Sequence, residues 1–469
     1  MEPERRQYSL LILMMLAFLI RGGVLFFNLG SFSEDPDGYK ALARTLRTDG
    51  VYGQGETPTA FRPPLYPALL WADSYLARDL SRPESFDPNA SSRFSLRLTE
   101  NAAIALLHWI LGLATVLLVY QIGRALGWRF RGSALAALLV ACDPILLQQS
   151  RLVMTETLAA FFAALSVLLL IGAMMVPRGN RQRLAFFGVG VTVGLAALCR
   201  PTFLVFLGLC FCVMVVYELK GRIAWFTPAA FLAGAALLVL PWGWRNLTQL
   251  DHFTVTTTHG GYTLLLANND FLYDAQQGIA PLKGPWDAEP FHKDWQNRVQ
   301  TAFTEASIVP GTVEAELLED RLANETARAC IKQCPKDFAL ATLWRIGHFW
   351  QPLPYQVEEG ESTATRAARY GIGVFYTLEL LLAFCGLILL LRSRFRSGDP
   401  IFAPGHGRWV WPTLLILSVQ LPHLVYWTNM RMRAPASALI PLFATLLIVA
   451  VVRRFRQTKG AEAPLKGRF

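Results

Sequence analysis

Long apolar runs separated by short polar links set the rhythm of this chain. Ten runs are long enough to be read as membrane helices, at residues 8–29, 101–123, 132–148, 153–176, 185–199, 201–218, 223–242, 369–391, 409–428 and 434–452. A hydrocarbon core of about 30 Å needs roughly 20 apolar residues per helix, fewer where neighbours bury the ends. The link Cys199-Arg200-Pro201 is the weakest division, because one long kinked helix there would change the count and reverse everything after it.

Loop charges test the division. Every second link is short and basic: Arg124, Arg129 and Arg131; Arg178, Arg181 and Arg183; Lys220 and Arg222; Arg392, Arg394, Arg396 and Arg408; then the tail with Arg453, Arg454, Arg456 and Lys459. Together with Arg5 and Arg6, the positive-inside rule assigns these links and both termini to the cytoplasm. Two long segments, 30–100 and 243–368, then fall outside. The second is acidic and helix-like in parts, and is expected to fold as a small cap. The expected organisation is an N-terminal membrane module (1–242) with its first outer loop (30–100), an outer region (243–368), C-terminal membrane helices (369–452) and a basic tail (453–469).

Composition agrees with an all-α polytopic membrane protein. Hydrophobic residues make up 53% of the chain and charged residues 17%, with a mean hydropathy of +0.34, too apolar for a soluble protein of this length. The net charge of +10 lies in the short links rather than on a folded basic face, so it argues for topology and against nucleic acid. No small-residue cleavage site follows the first run, so that helix is expected to stay as an anchor. Seven scattered histidines offer no metal-ligand spacing. Five cysteines lie in spans, where packing suffices; Cys330 and Cys334 lie outside, at a helical spacing awkward for a disulfide.

The densest polar cluster follows the first run, as S-E-D-P-D-G-Y and then F-R-P-P-L-Y-P. Glu34, Asp35 and Asp37 precede Tyr39, Leu42, Ala43 and Leu46, whose spacing predicts a short amphipathic helix along the membrane surface. A carboxylate held there can act as a general base; the same acids also fit a solvated loop that caps a helix. Arg62 precedes Pro63 and Pro64, which stiffen its presentation. Glu156 heads the fourth run, where the helix dipole is an ordinary explanation and a functional acid at membrane depth is another. Arg21, late in the first run, reads as a structural partner of a carboxylate.

In order along the chain stand E-D-P-D-G-Y-x-x-L-A, F-R-P-P-L-Y-P, M-T-E-T-L, C-R-P, P-W-G-W-R-N, G-G-Y-T-L-L-L-A-N-N and R-M-R-A-P. In this order the chain resembles the bacterial GT-C membrane glycosyltransferases related to protein O-mannosyltransferases and lipid A aminoarabinose transferases. R-M-R-A-P departs from the more usual R-Y-R-x-P. The resemblance implies a GT-C-like bundle of about ten helices with a cap, in the plasma (inner) membrane. It implies transfer of a hexose or pentose, with inversion, from a polyprenyl-phosphate donor to an extracytoplasmic lipid, glycan or protein acceptor. It also implies a base at Asp35 or Asp37, a second acid at Glu156, phosphate-binding cations among Arg62, Arg200, Arg245, Arg431 and Arg433, and lining by Tyr39, Tyr66 and Asn268. Arg245 and Arg433 are expected to grip the phosphate from two sides. No cofactor is implied for certain, and participation of a divalent metal stays open.

Aromatic residues near span ends, among them Trp242, Trp244, Trp344, Trp350, Trp409, Trp411 and Trp427, fit an interfacial belt. Asn-x-Ser/Thr triplets at Asn89, Asn246 and Asn324 fall in the outer segments, and Asn246, in the W-x-R-N motif, reads as structural. Two further classes share these features: a transporter or flippase for an anionic lipid, and a scaffold that binds partners through 243–368.

Overall fold

The computed structural model describes residues 3–75, 99–278, 286–356, 360–393 and 406–461. Asn89, Arg394, Arg396 and the end of the tail lie outside the described residues. The first half runs α1 (Pro3–Phe26), α2 (Tyr39–Thr48), a two-residue hairpin β1 (Gly53–Gln54) and β2 (Thr57–Pro58), α3 (Leu65–Asp73), α4 (Glu100–Ala125), α5 (Phe130–Ala141), α6 (Pro144–Ser150), α7 (Glu156–Ala173), α8 (Asn180–Cys199), α9 (Thr202–Leu219) and α10 (Thr227–Leu250). The cap follows as α11 (Gly260–Ala267), α12 (Asp270–Gly278), α13 (Glu289–Glu305), α14 (Val313–Gln333) and α15 (Pro335–Trp350). The chain then returns through α16 (Thr363–Ser393), α17 (Val410–Gln420), α18 (Ala434–Ser437) and α19 (Ile440–Ala461).

Among the described residues seven helices are long and apolar enough to cross a membrane, and the number rises to nine if each of two bent pairs is one span. The pairs bend where proline interrupts the run: 49° between α5 and α6, where Pro144 opens α6, and 59° between the Met430–Ser437 segment and α19, where Pro441 is the second residue of the new helix. Proline lacks the amide for the preceding turn and is at home only in a helix's first turn. The same rule corrects the expected span at 409–428. Helix α17 stops at Gln420 and continues as a 3-10 turn over Leu421–Leu424 around Pro422, so this run passes from the Arg408 end of the bundle to the Glu156 end as a broken helix rather than as one long α-helix. The division at Cys199-Arg200-Pro201 is real, with α8 ending at Cys199 and α9 starting at Thr202.

The central helix is α7, with 72% of its span buried, whereas α1, α9 and α16 bury only 22% of theirs and present the rest outward. Without a hydrophobic driving force between helices in lipid, close packing needs small residues. Gly190 and Gly194 of α8 and Gly234 of α10 supply them: a methyl group at Gly190 would run into the Phe231 carbonyl, and one at Gly234 into that of Phe187. Gly386 of α16 meets the Phe443 carbonyl of α19 in the same way.

The cap has its own small core of Leu264, Leu265, Phe291, Trp295, Ala323 and Ala327, where α11 lies across α14. Gly261 permits that approach, since a side chain there would strike the Asp320 carbonyl. Its amide donates to the Asp320 carboxylate at 2.6 Å.

Candidate active site

The site forms where the polar ends of α7, α8 and the 430–433 turn meet the loop after α1. That loop turns at Asp35-Pro36-Asp37-Gly38, with Gly38 in the left-handed region (φ +73°) and its amide donating to the Asp35 carbonyl at 3.2 Å. Only glycine enters that conformation without strain. Helix α2 starts at once and carries the expected amphipathic face, burying Tyr39, Lys40, Leu42 and Ala43. Lys40 Nζ donates to the Phe32 carbonyl at 2.8 Å and lies 3.5 Å from Glu100, tying the loop to the head of α4.

The two candidate bases are held differently. Asp37 is paired with Arg62 at 2.9 Å, and the Arg62 Nε also donates to the Asp37 carbonyl at 3.1 Å. Asp35 accepts only the Ala41 amide, on Oδ2 at 3.0 Å, while its buried Oδ1 has no hydrogen-bond partner among the described residues. Arg62 is packed over Phe61 and Tyr39, with ring centroids 4.9 and 5.7 Å away. Its charge is thus committed to Asp37 and two aromatic faces.

Glu156, 2% exposed at the head of α7, sits between Arg200 at 3.0 Å and Arg431 at 3.2 Å. One carboxylate between two guanidinium groups leaves a net positive charge. The remaining arms of those arginines rest on sulfur: Arg200 on Met432 at 3.1 Å and Arg431 on Met154 at 2.9 Å. A thioether is a weak acceptor. Both cations therefore hold donors that an anionic oxygen would satisfy better.

Tyr39 and Tyr66 join the two halves. Their rings meet edge to face at 5.2 Å. Tyr39 lies within the fields of Asp37, Arg62, Glu156 and Arg200, and Tyr66 within those of Glu156 and Asp35. Burial pushes both phenols above their ordinary range, so they stay protonated donors. The Tyr66 hydroxyl meets His108 Nε2 at 2.9 Å, and His108 Nδ1 meets the Ser150 carbonyl at 2.7 Å.

Three expected site residues are placed elsewhere. Arg245 donates to the carbonyls of Tyr52 (2.7 Å) and Thr59 (2.8 Å) and stacks on Trp242. Arg433, fully buried, donates to the carbonyls of Phe349 (2.9 Å) and Gln351 (3.2 Å) and covers the Tyr376 ring at 4.7 Å. Arg245 and Arg433 share no partner and form no two-sided grip; Arg245 is held by backbone and by Asn246, whereas Nε and Nη2 of Arg433 are buried with no hydrogen-bond partner among the described residues. Asn268 belongs to the cap, bonded to Leu264, Val425, Tyr273 and Arg345. Arg21 donates to the Val140 carbonyl at 2.8 Å and lies in the field of Asp143, which fits a structural role. Asn246 is buried and donates to the Thr254 carbonyl. Cys330 and Cys334 are free thiols.

Three groups near the site were not anticipated. His108 is an isolated ionisable residue within an apolar helix, a signal visible in the sequence. His259 packs against Phe61 with ring centroids 4.3 Å apart and tilted by 58°, and burial together with nearby Arg62 lowers its pKa to about 3. Glu316, on cap helix α14, accepts from the hydroxyls of Thr59 and Thr258 and from the Ala60 amide at 3.0 Å. It clamps the segment leading to Arg62 from above, while Arg245 holds the same segment from the membrane side. Among the described residues no group of three or more His, Cys, Asp or Glu is arranged to hold a metal ion.

This architecture has solved counterparts. The oligosaccharyltransferase of Archaeoglobus fulgidus, crystallised in the apo form, superposes with a TM-score of 0.55 at 16% identity over 100% of this chain and 53% of its own. The same archaeal oligosaccharyltransferase, AglB, in complex with an inhibitory peptide and a dolichol-phosphate gives 0.52 at 16% identity over 99% and 52%. This chain thus spans about half the length of that protein. ArnT of Cupriavidus metallidurans bound to undecaprenyl phosphate gives 0.43 at 13% identity over 98% and 81%. No curated protein matches by sequence. This multi-pass membrane protein has the fold of the GT-C glycosyltransferases, and its residues 54–257 match the family model of the dolichyl-phosphate-mannose-protein mannosyltransferases.

Proposed function

We propose that the protein transfers a sugar from a polyprenyl-phosphate donor to an extracytoplasmic acceptor, with inversion at the anomeric carbon. The observation that carries this is the Arg200–Glu156–Arg431 cluster, a net cation at the membrane end of the bundle whose spare donors rest on methionine sulfur. A lipid phosphate would exchange those weak contacts for charge-assisted hydrogen bonds, which count for more where water is scarce. Asp35 rather than Asp37 is the base, because its Oδ1 is unpartnered whereas Asp37 is neutralised by Arg62.

The chemistry then balances. Asp35 Oδ1 takes the proton of the acceptor hydroxyl or amine as that atom bonds to the anomeric carbon. The bond from that carbon to the phosphate oxygen breaks on the opposite face, and its electron pair leaves with the polyprenyl phosphate. Arg200 and Arg431 meet the charge that develops on the leaving oxygen. Glu156 keeps the two arginines together without cancelling both. The dolichol-phosphate bound to the archaeal oligosaccharyltransferase supports this donor class, and the mannosyltransferase family match supports a hexose among the sugars to be tried.

The test is to supply purified protein in lipid with polyprenyl phosphates carrying different sugars and to follow free polyprenyl phosphate and the anomeric form of the product. One donor should be turned over with inverted product. Movement of intact lipid-linked sugar across the bilayer, with no free polyprenyl phosphate formed, would contradict the proposal and favour a carrier.

A further inference from the structure

A second basic site lies at the end of the bundle opposite the first. Helix α7 runs from Glu156 in the site to Ala173, and α9 from Thr202 to Leu219, so the far ends of both are roughly 27 Å away at 1.5 Å per residue over the 18 residues of each. There Met174, Met175, Tyr217, Arg222, Gly407 and Arg408 line an open pocket of about 390 Å3. That volume falls within the range of small-ligand sites. The pocket joins the turn after α7, the end of α9 and the entry to α17, so three separate stretches of sequence build it.

Its charge is one-sided. Arg222 stacks on the Tyr217 ring at 5.4 Å, and Arg408 spends one arm on the Ala125 carbonyl. Among the described residues neither guanidinium is paired with a carboxylate, and none of the six lining residues is acidic. Two arginines and a phenol around one cavity match a phosphate, whose oxygens take paired guanidinium donors. The pocket's depth identifies the source of that phosphate. Trp225 and Phe226, three and four residues beyond Arg222, are 64% and 71% exposed, which on a membrane protein marks the headgroup layer. Met174 and Met175 supply a flexible apolar wall against which an acyl chain could lie.

We propose that this pocket binds the phosphate group of an anionic membrane lipid. The proposal is independent of the catalytic assignment, since no lining residue belongs to the site. The lipid would hold the ends of α7 and α9 and the entry to α17 together from the far side of the bilayer.

The experiment uses the full chain in neutral detergent, with phosphatidylglycerol and phosphatidylcholine as probes and bound lipid counted by native mass spectrometry. The wild type should retain phosphatidylglycerol in preference to phosphatidylcholine. Arg222→Glu should reduce that retention at least tenfold; its side chain makes no hydrogen bond among the described residues, so the fold should survive. Arg222→Lys, which keeps the charge, should retain part of it. Equal retention by wild type and Arg222→Glu, or no preference for the anionic lipid, would overturn the proposal. Displacement of phosphatidylglycerol by an equal concentration of inorganic phosphate would also overturn it, assigning the pocket to a soluble anion.

Discussion

At the scale of the residue, two arginines two positions apart in one motif have opposite fates. Arg431 and Arg433 share a 3-10 turn, Met430–Arg433, that points the first at Glu156 and buries the second against backbone carbonyls. Arg431→Ala should leave the protein folded and raise the donor KM on the order of tenfold or more, the weight of a charge-assisted bond or two. Arg433→Ala should instead be unstable by about 2–4 kcal/mol, because it leaves the buried carbonyls of Phe349 and Gln351 without their charged donor. Melting temperatures and donor titrations of both variants separate the roles; a well-folded Arg433→Ala with a raised KM would reverse them. His259 gives a pH effect. Its folded pKa of about 3 lies below the unfolded value of 6.5, so the unfolded chain binds the extra proton and stability falls as pH drops below about 6.5. The loss in melting temperature between pH 7 and pH 5 should be smaller in His259→Phe than in the wild type; an equal loss in both would remove His259 as a cause.

At the scale of the element, the cap does more than cover the bundle. Glu316 on α14 reaches across 257 positions of sequence to accept from Thr59 and binds the neighbouring Ala60 amide, while Arg245 on α10 holds Tyr52 and Thr59 from below. The hairpin between them leads directly to Arg62, so α10 and α14 together fix the Asp37–Arg62 pair. Glu316→Ala should lower kcat about tenfold with little change in donor KM, since it loosens the segment that presents Arg62 to Asp37, and through that pair the turn holding the proposed base Asp35, without touching Arg200 or Arg431. A change in KM alone would place Glu316 in donor binding instead. Such a clamp leaves no trace in local sequence pattern. By contrast helix α2 and the start of α7 were legible, because each depends on neighbours: helical apolar spacing, and an acid heading an apolar run. The break within the expected span at 409–428 was missed for a local reason, as hydropathy outweighed Pro422. The contacts of Arg245, Arg433 and Asn268 were not legible for a non-local one, since a sequence shows that an arginine lies near a span end but not which carbonyls await it.

At the scale of the whole molecule, the helices alternate in direction, so the site and cap share one end of the bundle and the basic pocket the other. In a cysteine-free background, Ser307→Cys on the cap should react with a membrane-impermeant reagent applied to intact cells, and Arg129→Cys in the link between α4 and α5 should not. Labelling of Arg129→Cys from outside would invert the assignment of the site to the extracytoplasmic face. The central claim is that one end of this bundle holds a base, Asp35, beside a cationic phosphate site. The most direct measurement compares Asp35→Asn with the wild type in two assays on the same preparation, binding of a polyprenyl-phosphate sugar and its transfer to acceptor. The substitution keeps the size and removes the basicity, so donor binding should persist while transfer falls on the order of a hundredfold or more. Transfer by Asp35→Asn at the wild-type rate, with donor bound equally well, would contradict the account.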